Sequence, residues 1–350
     1  MSEQIRVGIL GATGAVGQRF IQLLEGHPWF KVTAVAASER SAGKPYSEAA
    51  TWRMDTPMPE DVGSLTVQLC EPNLPCDLVF SGLDSNVAGP MEAAFAGGGY
   101  PVISNSKNHR MDDDVPLLIP EVNPDHTAII PHQRNNRGYD RGCIATNPNC
   151  STIGLTMALK PLADRFGLKQ VAVTTLQALS GAGYPGVSSL DILDNVIPYI
   201  DEEEEKMERE PLKLLGACDG VSITPAPVSI SAQCNRVHVN DGHLECVSVA
   251  LSEETDVDAL AETYRSFSAL PQEMGLPFAP KQPIVVREEP DRPQPRHDRD
   301  TDAGMSVVIG RLRPCKVLDF KMLVLVHNTI RGAAGTAILN AELLKEQGYV

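Results

Sequence analysis

Gly8-Ile-Leu-Gly11-Ala-Thr-Gly14-Ala-Val-Gly17 decides the fold. Gly11, Gly14 and Gly17 have the spacing G-x-x-G-x-x-G, a variant of the dinucleotide-binding fingerprint. Glycines there allow a tight turn and a close backbone approach. The helix that follows aims its first N–H groups at a pyrophosphate. The spacing is weak evidence by itself; its setting gives it meaning. Ile5–Leu10 is a short β-branched and apolar run, and residues 16–24 carry apolar side chains at helical intervals until His27-Pro28 stops them. The turn lies between a strand and a helix, where a dinucleotide cradle belongs.

Further strands are expected at 31–37, 77–81 and 101–105, with a helix at 87–96 between the last two. Strands alternating with helices predict a doubly wound, Rossmann-like parallel sheet in an α/β chain. After Asn147-Pro148 the pattern changes. Residues 151–166 form one long helix, and 169–178, 245–251 and 316–326 are strands with long connections, which suggests an α+β second domain. The domains are set at 1–148, completed by a C-terminal helix within 329–350, and at 149–328. The Pro- and charge-rich stretch 288–301 is expected to be a loop.

A chain of 350 residues is long for a single hydrophobic core, so two domains agree with its size. The net charge of −15 makes nucleic acid and anionic membranes poor partners. No apolar run reaches the roughly 18 residues that span a bilayer, and the N-terminus lacks a signal-peptide pattern. The expected location is the cytoplasm. The eight cysteines form no CxxC pair and no zinc-like cluster, so no metal is expected.

One cysteine stands apart. In Asn147-Pro-Asn149-Cys150-Ser151-Thr152, Cys150 opens a long helix, whose N-terminus favours a thiolate and can hold a developing oxyanion. A thiolate needs a proton carrier. His243, in Arg236-Val-His-Val-Asn-Asp-Gly242-His243, is placed by a turn just before a strand, with an anion-binding arginine seven residues earlier. His238 competes, because alternation along an extended segment puts it on the same side as Arg236. Lys107 and Arg110, in Ser104-Asn-Ser-Lys107-Asn-His-Arg110, follow a strand end and are candidates for binding a phosphate. The run Glu202–Lys206 is acidic and helical, and most of such a run is expected to be a solvated face.

The end of the second strand separates the two nicotinamide cofactors. An NAD site places Asp or Glu there. This chain reads Ser38-Glu-Arg40-Ser41-Ala-Gly-Lys44, and its hydroxyls and cations suit a 2′-phosphate. The expected cofactor is NADP.

Taken together, GATGAVGQRF, ASERSAGK, SNSKNHRM, LIPEVN, NPNCST, QALSGAGYPG, IPYIDEEEEK, CNRVHVNDGH and NTIRGAAG, in that order over nearly the whole chain, resemble the archaeal and fungal branch of the aspartate-semialdehyde dehydrogenase family. The resemblance implies an NADP-binding domain, a catalytic and dimerisation domain, and a homodimer or homotetramer. It makes Cys150 the nucleophile with Asn149 beside it, Arg236 the carboxylate-binding residue and His243 the general acid/base. It places Gln177 against the substrate or thioester, Glu203 at the substrate ammonium group, and Lys206 with Lys107 and Arg110 at phosphate; four consecutive glutamates leave the Glu203 register open by one residue. Cofactor contacts are expected at Gly11, Ala12, Thr13, Gly14, Ala15 and Val16, at Ser81 and Gly82, at Ser38, Arg40, Ser41 and Lys44, and at Ser180, Gly181 and Asn328.

The implied reaction is the NADPH-dependent reduction of aspartyl phosphate to aspartate semialdehyde through a Cys150 thioester, in lysine, threonine and methionine biosynthesis. Its rivals are a malonyl-CoA reductase or another acyl-phosphate reductase, such as an N-acetylglutamyl-phosphate reductase. From a different class comes a non-catalytic NADP-binding protein, against which Cys150 and His243 together argue.

Overall fold

Six strands open the chain: β1 (Ile5–Leu10), β2 (Phe30–Ala37), β3 (Gln68–Leu69), β4 (Leu78–Ser81), β5 (Pro101–Ser104) and β6 (Cys143–Thr146). In the computed structural model, which describes residues 4–350, they form one parallel sheet in the order β3-β2-β1-β4-β5-β6. The order reverses at β1, so a ligand crevice opens beyond the carboxyl ends of β1 and β4. Helices cover both faces, and the central strands are accordingly apolar throughout: Val7, Ile9, Leu10, Leu78, Val79 and Phe80 are all fully buried. The helix Ala15–Leu24 packs Phe20 on Phe80, with ring centroids 4.7 Å apart.

The turn between β1 and that helix closes only on glycine. Gly11 has φ +73°, and a Cβ there would lie 2.7 Å from the Gly82 carbonyl oxygen. A Cβ on Gly17 would lie 2.4 Å from the Gly11 carbonyl oxygen.

The second half supplies β7 (Leu168–Gln177), a small hairpin of β8 (Ala217–Cys218) and β9 (Ile223–Thr224), then β10 (Ser229–Arg236), β11 (His243–Leu251), β12 (Ile284–Arg287), β13 (Val307–Pro314) and β14 (Phe320–Val326). Six of these form a mixed sheet ordered β10-β7-β11-β14-β13-β12. The helix Cys150–Phe166 lies on one face and is buried along most of its length. The other face carries the alternate residues Ala172, Thr174, Gln233, Cys246 and Ser248, which no helix covers among the described residues.

After β14 the chain makes a π-helical turn, Ile330–Ala334, and continues as the helix Gly335–Glu346. Ala337, Ile338, Ala341 and Leu344 of that helix join the core of the first sheet. Arg331 in the π turn donates to both carboxylate oxygens of Glu121, at 2.9 and 2.7 Å, with both side chains fully buried.

Several boundaries differ from the sequence expectations. The strand predicted at 316–326 begins only at Phe320, because Cys315 and Asp319 close a turn before it. The stretch 288–301 contains a helical turn, Pro295–Asp298, organised by the buried Asp298 carboxylate, which accepts from Arg287, Arg292 and the Gln294 N–H. The strands β6, β10, β12 and β13 and the helix Val257–Arg265 were not anticipated. Among the described residues no helix is long and apolar enough to cross a membrane.

Candidate active site

Cys150 sits where the chain crosses from one sheet to the other. It is the first residue of its helix, a few residues beyond the carboxyl end of β6. Asn149 caps that helix: its Oδ1 accepts the N–H groups of Ser151 at 2.9 Å and Thr152 at 3.2 Å. Three adjacent strands deliver the other groups. Gln177 and Arg236 end β7 and β10 and are register partners, and His243 begins β11.

His243 Nε2 lies 3.2 Å from Cys150 Sγ. On the far side of the ring, the Ala178 N–H donates to Nδ1 at 3.0 Å. With Nδ1 taken as an acceptor, the neutral ring carries its proton on Nε2, facing the sulfur. Burial holds the imidazolium well below its usual range, and the nearby Arg236 adds to that, so the ring is neutral. Burial also pushes the Cys150 thiol up, to about 12, and Glu203 pushes the same way. Arg236, Arg110 and the Ser151 N–H pull it down. The helix terminus acts in the expected direction, but desolvation outweighs it.

The sequence expectation that a turn presents His243 needs correcting, since the residue is fully buried at the start of a strand. His238 is exposed and has no contact with Cys150: β10 ends at Arg236, and the chain then turns away. Arg236 is buried and donates through Nη1 to the Ala178 carbonyl at 2.7 Å, with no ion-pair partner among the described residues. Gly181 lies against both groups. A Cβ there would be 2.8 Å from Arg236 Nη1 and 3.0 Å from His243 Nε2.

Of the acidic run, Glu203 is the residue turned toward Asn149 and Gln177. Glu203 is buried, and its Oε1 accepts from Asn149 Nδ2 at 2.8 Å and Gln177 Nε2 at 3.1 Å. Glu202 is exposed and pairs with Lys107. The acidic helix, Glu203–Leu214, is therefore not mainly a solvated face. Glu204 accepts the Cys234 N–H and Glu208 the Ala232 N–H, each at 3.0 Å, which covers the open edge of β10.

The expected cluster of cations separates. Arg110 is buried and lines a cavity of about 460 Å³ together with Cys150. Lys107 is partly exposed beside Glu202, and Lys206 lies 3.7 Å from Glu202 and Glu203; neither lines that cavity.

The same cavity reaches Ala15 and Val16 of the fingerprint and is walled by Ser180, Gly181, Asn328 and Gly332. Asn328 is a strut there: its Oδ1 accepts the Gly242 N–H and its Nδ2 donates to Ser180 Oγ, both at 2.8 Å. A Cβ on Gly332 would lie 2.9 Å from Cys150 Cβ, so the π turn can pass the nucleophile only as glycine. Ser81 departs from expectation. Its hydroxyl donates inward to the buried Glu92 at 2.6 Å, while Gly82 packs under the fingerprint turn. Ala12 is likewise buried in the core, and the Ala12 and Thr13 carbonyls accept from Tyr46 and Gln18. Ser38, Arg40, Ser41 and Lys44 follow β2 directly; Arg40 and Lys44 are exposed and in no ion pair among the described residues.

Two features escaped sequence reasoning. Arg53 stacks its guanidinium 3.3 Å from the centroid of the Tyr184 ring, and both residues line the cavity from opposite halves of the chain. Glu210 is buried against Arg110 and Asn149. A signal for it existed: Glu203, Met207, Glu210 and Leu214 share one buried helical stripe.

Comparison with known proteins finds one family over both halves of the chain. Residues 6–130 match the family model for the semialdehyde dehydrogenase NAD-binding domain, and 159–331 match that for the semialdehyde dehydrogenase dimerisation domain. The aspartate-semialdehyde dehydrogenase of Methanothermobacter thermautotrophicus is 51% identical over 98% of this chain and 99% of its own length. That of Schizosaccharomyces pombe is 49% identical over 99% of each chain. The crystal structure of the Candida albicans aspartate-semialdehyde dehydrogenase with NADP superposes with a TM-score of 0.92 at 46% identity, covering 99% of this chain and 100% of the other. A nucleotide-type crevice, a cysteine beside a histidine at the junction of two sheets, and likeness over both halves of the chain lead to one assignment: the chain belongs to the aspartate-semialdehyde dehydrogenase family.

Proposed function

We propose that this chain reduces aspartyl-4-phosphate to aspartate semialdehyde with NADPH, through a thioester on Cys150. The observation that carries the mechanism is the 3.2 Å approach of His243 Nε2 to Cys150 Sγ, with the Ala178 N–H on the opposite nitrogen. The sulfur attacks the acyl carbon, the C–O bond to phosphate breaks, and the thiol proton leaves with the phosphate. Ala15 and Val16 of the fingerprint, with Ser180, Gly181 and Asn328 of the same cavity, would hold NADPH, which would supply the hydride that reduces the thioester. The resulting hemithioacetal alkoxide expels the thiolate and becomes the aldehyde, and the thiolate then takes up a proton. The chemistry on the sulfur needs no imidazolium. The His243 Nε2–H stabilises first the alkoxide and then the expelled thiolate by hydrogen bonding, a narrower role than general acid/base.

Arg236 receives the substrate carboxylate, supported by its unpaired, buried guanidinium. Arg236→Ala is expected to raise the substrate KM well over tenfold, since truncating a buried charged pair costs about 2–5 kcal/mol. Arg236→Lys should not rescue it, because an ammonium lacks the fork geometry. An unchanged KM in the alanine variant places the carboxylate elsewhere. Glu203, held by Asn149 and Gln177, takes the substrate ammonium group, and Arg110 meets the phosphate. Lys107 and Lys206 contribute to the phosphate site only by exchanging their glutamate partners for it.

The glycine cradle at Gly11 and Gly17 fits a pyrophosphate, and the unpaired Arg40 and Lys44 fit a 2′-phosphate. Arg40→Ala should weaken NADP binding about tenfold while leaving NAD binding little changed, the difference expected for one charge-assisted hydrogen bond. Equal affinity of the parent protein for both cofactors contradicts this reading of the loop.

Labour divides between residues 1–148 with 329–350, which hold NADP, and 149–328, which carry the chemistry and the dimer contact. The uncovered face of the second sheet supports a homodimer or homotetramer, and the cellular location proposed is the cytoplasm. The test is NADPH formation from aspartate semialdehyde and NADP with and without phosphate, run beside malonyl-CoA reduction. Phosphate-dependent oxidation of the semialdehyde supports the proposal; a preference for malonyl-CoA overturns it.

A further inference from the structure

We infer that Glu210 is a positioning residue for this reaction, its carboxylate holding both the phosphate-facing cation and the backbone from which the nucleophile springs. The inference rests on the function proposed above. Glu210 is 2% exposed, yet both its oxygens are engaged. Oε1 accepts Nη1 of Arg110 at 2.9 Å, and Oε2 accepts the N–H of Asn149, the residue before Cys150, at 2.6 Å.

These partners come from separate parts of the chain. Arg110 lies on the loop after β5, Asn149 precedes the nucleophile helix, and Glu210 lies on the acidic helix of the second half. Nη2 of Arg110 is spent on the Asn105 carbonyl at 2.8 Å, and its Nε is buried with no partner. The direction of Arg110 is therefore set largely by a helix outside its own loop. The same helix fixes that loop's main chain: Lys213 Nζ donates to the carbonyls of Arg110, Asp112 and Val115 at 2.9, 2.7 and 2.8 Å.

A carboxylate suits this place for a simple reason. It offers an acceptor oxygen to each of two donors, and its charge strengthens both bonds. A glutamine offers one oxygen, so its NH2 must face either the Arg110 guanidinium or the Asn149 N–H. The position lies on the buried stripe with Met207 and Leu214, where an ordinary core would carry an apolar side chain. Glu203, about two helical turns earlier, holds the Asn149 side chain while Glu210 holds its backbone. The two glutamates thus grip the helix cap from the same face.

The experiment uses the full chain. Parent protein is first assayed for phosphate-dependent NADPH formation from aspartate semialdehyde. A parent without phosphate dependence refutes the proposed function, whatever Glu210 does. In a parent that passes, Glu210→Gln is expected to raise the KM for phosphate about tenfold, in line with the loss of one charge-assisted bond, and to leave NADP affinity within about twofold. It is also expected to change the rate at which iodoacetamide labels Cys150, read by peptide mass. Glu210→Asp, one methylene shorter, should not restore the phosphate KM. In a double-mutant cycle with Arg110→Lys, the two effects on phosphate KM should fall short of adding. A residue that only supports the fold lowers the melting temperature and shifts all parameters together. If Glu210→Gln does not fold, the aspartate variant carries the same readouts. A folded variant with phosphate KM and Cys150 labelling within about twofold of the parent, or strictly additive effects with Arg110→Lys, overturns the inference.

Discussion

Replacing Cys150 with serine is expected to lower turnover by about four orders of magnitude or more while leaving NADP binding intact. The size of the effect follows from the surroundings as well as from the sulfur. A serine hydroxyl needs a base to become a nucleophile, and in serine hydrolases a neutral histidine with a free nitrogen lone pair provides it. Here the ring nitrogen that faces position 150 already carries the proton, because the Ala178 N–H occupies the other one. His243 therefore cannot activate the serine. The fingerprint turn and the cationic loop after β2 are untouched, so NADP should bind as in the parent. NADPH formation measured beside direct NADP titration separates the two outcomes. Substantial dehydrogenase activity in a verified Cys150→Ser protein removes Cys150 from the mechanism.

His243→Asn is expected to lower kcat by roughly 100- to 1,000-fold with little change in KM, the range for losing one hydrogen-bond donor to a charge that develops in the transition state. Asparagine is too short to place an N–H where Nε2 stands against the sulfur. Glutamine reaches further, and His243→Gln should keep more activity than His243→Asn if donation of a hydrogen bond is the main role. Proton transfer as the main role predicts that both variants are equally impaired. His238→Asn should be near normal, since His238 is exposed beyond the end of β10. Severe impairment of His238→Asn with near-normal His243→Asn reverses the assignment.

How much of this was legible in the sequence depended on whether the physics was local. Gly11 to Gly17, the helix opened by Cys150, and the arginine-to-histidine spacing at Arg236 and His243 are short-range patterns, and the structure brings Cys150 and His243 together. What sequence reading missed depends on distant partners. Gln177 and Arg236 were both named as site residues, but that they are neighbours follows only from the parallel pairing of β7 and β10. Arg331 meets Glu121 across 210 positions. Glu210 lies beyond the acidic run 202–206 that the sequence singled out, and its partners Arg110 and Asn149 come from distant segments. The sign of the Cys150 shift was misjudged for a related reason: a helix terminus can be read from sequence, but the desolvation that outweighs it depends on the whole fold. Ser81 lay at the right strand end for a cofactor contact, yet the buried Glu92 claims its hydroxyl.

The central claim is a thioester on Cys150 that only phosphate releases. Its most direct test mixes the protein with aspartate semialdehyde and NADP, without phosphate, and follows NADPH while the Cys150 peptide is weighed. The account predicts a rapid burst of NADPH, stoichiometric with active sites, which then stops, with an aspartyl adduct on Cys150 that disappears when phosphate is added and turnover resumes. Continuous NADPH formation without phosphate, or turnover with no adduct on Cys150, contradicts it.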